Sequence, residues 1–86
     1  MKTLNANTQQ NTSIQNMLQI PRMLSLKQVE YCIGLSSSTI YDMLDKRSNR
    51  YDPTFPVQVK ISKGRVAWVE SEVAQWIENK IAARVH

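Results

Sequence analysis

A helix that is started, stopped and restarted within a few residues constrains this chain more than any other feature. Ser25-Leu26-Lys27-Gln28 is a capping box: the Ser25 hydroxyl accepts from the Gln28 N–H, and the Gln28 side chain reaches back to the Ser25 N–H. A helix therefore begins at Leu26. Leu24, just before the cap, can staple onto Val29, and Leu26, Val29 and Ile33 line one helical stripe that faces a core. Gly34 tolerates the left-handed conformation that ends a helix, and Ser36 repeats the start signal, with Leu35 stapling onto Ile40. The pattern predicts two short helices joined by Gly34-Leu35-Ser36, a helix-turn-helix.

The second helix is expected from Ser37 to about Lys46. Ile40, Met43 and Leu44 are spaced to face inward, while Ser37, Ser38, Tyr41, Asp42 and Asp45 face outward. From Arg47 to Pro56 the Ser, Asn, Asp and Pro content reads as an irregular loop, anchored to the core by Phe55. Val57, Val59 and Ile61 then alternate with Gln58 and Lys60, Ser62-Lys63-Gly64 supplies a turn, and Val66 and Trp68 alternate with Arg65 and Ala67. That is a β-hairpin. Beyond Val69 the period changes to 3.6, and Val73, Trp76, Ile77 and Ile81 form the stripe of a last helix. Its first turn carries Glu70 and Glu72, which suit a helix N-terminus. The expected fold is mainly α with a small β-hairpin, a winged helix-turn-helix.

This domain is expected over residues 22–86, behind a flexible polar tail over residues 1–21. Between Met1 and Asn16, eleven positions are Asn, Gln, Ser or Thr, too polar to offset the entropy of ordering. Ile14, Met17, Leu18 and Ile20 interrupt the tail and form a candidate docking arm that Pro21 ends. With 86 residues there is room for one marginal core and little for a catalytic cleft, so an enzyme is not expected. A single cysteine, Cys32, excludes an intrachain disulfide and a Cys-based zinc site, and its place beside Ile33 reads as a small buried hydrophobe. Trp68 and Trp76 fall on apolar faces and read as core residues rather than base-stacking platforms. His86 stands alone, without partners for a metal or a catalytic pair, and no cofactor is implied. No apolar run approaches the roughly 20 residues that span a bilayer, and a cytoplasmic protein without a membrane partner or small-molecule substrate is expected.

Eleven Lys and Arg against seven acids give a net charge of +4, which favours a polyanionic partner. The excess is concentrated: Lys46, Arg47, Arg50, Lys60, Lys63 and Arg65 fall within one segment whose sole acid is Asp52. A helix-turn-helix lays its second helix in the major groove and reads base edges from near that helix's N-terminus. Here those positions are Ser37, Ser38, Thr39 and Tyr41, whose hydroxyls both donate and accept. Lys46, Arg47, Lys60, Lys63 and Arg65 are the expected phosphate contacts, with Lys63 at the tip of the wing.

Read in order, Leu24-Ser25-Leu26, Gly34-Leu35-Ser36-Ser37-Ser38-Thr39-Ile40-Tyr41, Phe55-Pro56 and Trp68-Val69-Glu70-Ser71-Glu72-Val73-Ala74-Gln75-Trp76-Ile77 resemble the AlpA family of prophage regulators. The likeness covers roughly Arg22 to Arg84. It implies a winged helix-turn-helix similar to excisionases and to MerR-type DNA-binding domains. It further implies either activation of an integrase gene or a role as a recombination directionality factor, with double-stranded DNA as partner. Integrase, RNA polymerase and neighbouring copies bound cooperatively on the DNA are the implied protein partners. The chain departs from the family pattern at Ser37 and Asp42, a neutral and an acidic residue where relatives carry basic ones. That removes the expected phosphate contacts at these positions, and leaves Asp42 two alternatives: acceptor for a cytosine N4 amino group, or no base contact. The competing expectation is a protein-interaction module that binds a recombinase or regulator through its exposed helix and arm without touching DNA.

Overall fold

The computed structural model describes residues 19–85. The expected tail over 1–18, with Ile14, Met17 and Leu18, lies outside the described residues, as does His86. The order of elements is β1 (Met23–Leu24), α1 (Leu26–Ile33), α2 (Ser37–Leu44), β2 (Val59–Ser62), β3 (Arg65–Val69) and α3 (Glu70–Ala83). The architecture is a winged helix-turn-helix: three helices and a small antiparallel sheet in the order β1-β3-β2.

The start and stop signals operate as the sequence predicts. Ser25 accepts from the Gln28 N–H at 3.2 Å while the Ser25 N–H donates to Gln28 Oε1 at 2.8 Å, a complete capping box. Gly34 ends α1 at φ 72°, a left-handed conformation that costs a residue with a Cβ about 1–2 kcal/mol. Its N–H closes on the Glu30 carbonyl at 2.8 Å. Ser36 then caps α2 by accepting from the Thr39 N–H at 3.3 Å. The second helix stops at Leu44, two residues short of Lys46, because Asp45 turns extended and its carboxylate accepts from the Arg47 N–H at 2.9 Å. That side-chain turn competes with the next helical bond and wins.

Leu24, Val29, Ile40, Met43, Phe55, Trp68 and Val73 form the core. Trp68 on β3 is fully buried at its centre, with its indole N–H donating to the Pro56 carbonyl at 3.1 Å. Truncating a tryptophan at such a site costs about 3–5 kcal/mol. Both α1 and α3 pack on β3, the central strand, which explains why Ala67 and Trp68 are buried in succession. The strand β1 was too short to leave a period in the sequence, yet it fixes the entry of the chain: Met23 pairs with Val69 and Leu24 with Trp68.

Three expectations are corrected, and β2 takes a phase that alternation alone does not set. Val57, Val59 and Ile61 do not form the inner face of the hairpin; they are 72 %, 38 % and 55 % exposed. The register gives the reason, because Lys60 stands opposite Val66 and Val59 opposite Ala67. Directly paired residues share a sheet face, so Lys60 takes the face of Val66, Trp68 and Leu24, and Val59 takes the other with Ala67. Cys32 is exposed rather than buried, since α1 turns the Val29 side to the core. Ile81 is 47 % exposed, so the stripe of α3 that packs against the core ends at Ile77. The end of α2 at Leu44 is the third.

Candidate nucleic-acid interface

On α2, residues three and four apart share a face, which sets Ser38, Tyr41 and Asp42 in one outward stripe, with Asp45 at the extended position just past its end. Ser38 and Tyr41 are exposed, and Ser37, Thr39 and Asp42 half-buried. Thr39 is partly committed, its hydroxyl lying 3.1 Å from the Ser36 hydroxyl within the cap. Tyr41 has two environments at once. Its ring meets the Trp68 ring edge-on at 6.4 Å and 61°, and 40 % of the residue remains exposed. A Trp–Tyr pair in this geometry adds about 0.5–1.5 kcal/mol beyond burial, and here it ties the outward helix to the central strand of the wing.

The expected cations divide into two sets. Lys60, Lys63 and Arg65 are exposed on the hairpin, with Lys63 in the tight turn whose Gly64 takes φ 78°. Lys46 and Arg47 are exposed just beyond α2, and Arg47 Nε lies 3.6 Å from the Asp45 carboxylate. The structure thus attaches the wing to α2 through Trp68 and Tyr41, and places the second cation set at the opposite end of α2 from its cap.

Sequence reasoning counted Arg50 among the basic residues but gave it no place at the site. Arg50 Nη1 lies 3.4 Å from Asp42 Oδ2, so the acid on the outward face carries a guanidinium. No period in the intervening loop signals this contact. The loop is held by short-range turns: the Arg50 N–H donates to Ser48 Oγ at 3.0 Å, and the Tyr51 N–H to the Ser48 carbonyl at 3.0 Å. Directly after them, the Asp52 N–H donates to the Met43 carbonyl at 2.9 Å and returns the chain to the last turn of α2.

Asp52 is also the hub that binds this loop to α3. Its carboxylate accepts from the Thr54 hydroxyl and N–H, from the Trp76 indole N–H at 3.1 Å, and lies 3.3 Å from Lys80 Nζ. Partial burial pushes the carboxyl up, but the donors from Thr54, Trp76 and Lys80 outweigh it and hold its pKa at about 2. Lys80 Nζ also sits 5.3 Å from the centre of the Trp76 ring, whose edge-on partner is Phe55 at 5.1 Å. Among the described residues no group of three or more His, Cys, Asp or Glu could hold a metal ion. None of the described helices is long and apolar enough to cross a membrane.

Comparison with known proteins identifies the family. The family model described as Prophage CP4-57 regulatory protein (AlpA) matches residues 22–81. The chain is 37 % identical over 59 residues to the DNA-binding transcriptional activator AlpA of Escherichia coli (strain K12), a match that covers 69 % of this chain and 84 % of that protein. It is 40 % identical over 63 residues to the uncharacterized protein ORF88 of Enterobacteria phage P4, covering 73 % of this chain and 65 % of that one. No solved structure matches. With the family model spanning the helix-turn-helix, the wing and most of the last helix, the chain belongs to the AlpA family of prophage regulatory proteins.

Proposed function

We propose that this protein is a sequence-specific regulator of a prophage or genomic island that binds double-stranded DNA and catalyses no reaction. The observation that carries the reading is the outward stripe of α2, started by the Ser36 cap and tied to the wing by the Tyr41–Trp68 contact. A helix so placed enters the major groove, about 12 Å wide, with Ser37, Ser38, Thr39, Tyr41 and Asp42 toward base edges. Lys46, Arg47, Lys60, Lys63 and Arg65 hold phosphates on either side, adding affinity without sequence information. The name of the E. coli relative, a DNA-binding transcriptional activator, supports the same reading.

Two roles fit such a protein: activating an integrase promoter beside RNA polymerase, or bending attachment-site DNA for integrase. Footprinting on both DNAs separates them, since tandem protection with bending marks the excision role and a single site upstream of the promoter marks activation. DNA binding itself is tested by salt titration. Each phosphate neutralised lowers the log of the binding constant by about 0.9 per decade of salt. A slope near zero, or no DNA binding at all, would leave the protein-interaction reading in its place.

A further inference from the structure

We infer that Arg50 reads a guanine in the major groove and that Asp42 is the positioning residue that aims it, an assignment that rests on the DNA-binding reading above. An unpaired carboxylate on a surface that meets phosphates and acceptor-rich base edges is repelled. The acid on α2's outward stripe and the one that caps its end are instead matched by arginines from the following loop, Asp42 by Arg50 at 3.4 Å and Asp45 by Arg47 at 3.6 Å. Exposed pairs of this kind add little to stability. Their consequence is where they hold the guanidinium.

Arg50 is the better placed of the two. Its side chain is 64 % exposed, whereas that of Arg47 is 93 % exposed and pairs only with its near neighbour in sequence. The backbone around Arg50 is bound to Ser48 and, through Asp52, to the Met43 carbonyl, so the side chain starts from a fixed point beside α2. A guanidinium has five donors in a planar fork and no acceptor. With Nη1 turned to Asp42, the remaining N–H groups are presented to an incoming base. Guanine offers two acceptors, O6 and N7, matched to that fork; adenine sets a donor beside its N7, and cytosine presents a donor. Asp42 removes much of the rotational freedom that a long side chain loses on binding, so more of the contact appears as discrimination.

The test begins with selection of preferred sites from randomised duplexes by the full chain, followed by titrations on the consensus and on single-position variants. Arg50→Ala is expected to lose about tenfold or more of the discrimination at one G·C pair and to leave the other positions unchanged. Arg50→Lys keeps the charge but not the fork, so it should lose the same discrimination while binding random DNA as the native protein does. Asp42→Asn should relax that same position, and the double variant should be no worse than Arg50→Ala alone. Melting temperatures of all variants should stay close to the native value.

Three results overturn the inference alone: Arg50→Ala that keeps every preference, Arg50→Lys that keeps full discrimination, or Asp42→Asn that relaxes a different position. The last would make Asp42 itself a reader. A native chain that selects no sequence and shows no salt-dependent DNA binding would overturn the DNA reading together with this one.

Discussion

Asp52→Asn isolates the strut between the α2–β2 loop and α3, and its effect should depend on pH in a defined way. The native carboxylate titrates at about 2 instead of 3.8, and each tenfold of that shift is worth 1.36 kcal/mol between the two protonation states. The full shift therefore amounts to about 2 kcal/mol. The Asp52 side chain is 17 % exposed, and screening trims the contribution to about 1–2 kcal/mol. Asparagine leaves the backbone bond to Met43 in place, but it lacks the second strong acceptor that the Trp76 N–H and Lys80 share. The sign follows from a depressed pKa: the stabilisation is fully present above the unfolded value of about 4 and is lost as pH falls toward 2. Urea unfolding at pH 7, 4, 3 and 2, followed by tryptophan fluorescence, measures native minus variant stability, and the other acids cancel in the difference. At pH 7 the variant should be less stable by about 1–2 kcal/mol, roughly 5–15 °C in Tm for a domain of this size. The gap should close as the pH approaches 2. A variant as stable as the native chain at pH 7, or a gap that does not narrow between pH 4 and 2, would refute the assignment of the strut to an ionised Asp52.

Tyr41→Phe retains the ring against Trp68 and removes only the hydroxyl; stability should change by less than about 0.5 kcal/mol while binding to a selected site falls by about 1–3 kcal/mol, read by titration. Lys63→Ala should weaken binding to selected and random duplexes alike and reduce the salt slope by about 1, as measured across salt concentrations. Gly34→Ala meets no atom within 4 Å, so its cost of about 1–2 kcal/mol in thermal unfolding comes from the positive φ alone.

Signals that act within a few residues were legible in the sequence. The Ser25 box, the Gly34 stop and the Ser36 cap each satisfy backbone groups of their own helix end, so neighbouring residues suffice to identify them. The burial of Trp68, Phe55 and Val73 was legible for a similar reason, as large apolar residues on periodic faces have nowhere else to go. The phase of β2 was not. Alternation shows that a strand has two faces, but which one is inward is set by pairing with β3, and the Lys60–Val66 register placed the apolar set outward. At the candidate site, Ser38 and Tyr41 followed from helical spacing. The Asp42–Arg50 pair and the Asp52 hub did not, because both depend on the path of a loop without a period. The charge of Arg50 was visible; its partner was not.

The outward phase of β2 also bears on how the molecule behaves at high concentration. Among the described residues, a sheet ordered β1-β3-β2 leaves β2 at a border, with ladder N–H and C=O groups available to a second strand and with Val57, Val59 and Ile61 to clothe the junction. The register slips between Lys60 and Ser62, so a bulge at Ile61 interrupts the flat stretch, and Lys60 and Lys63 charge it. The two lysines, together with the break in register, therefore guard the border against strand-on-strand polymerisation.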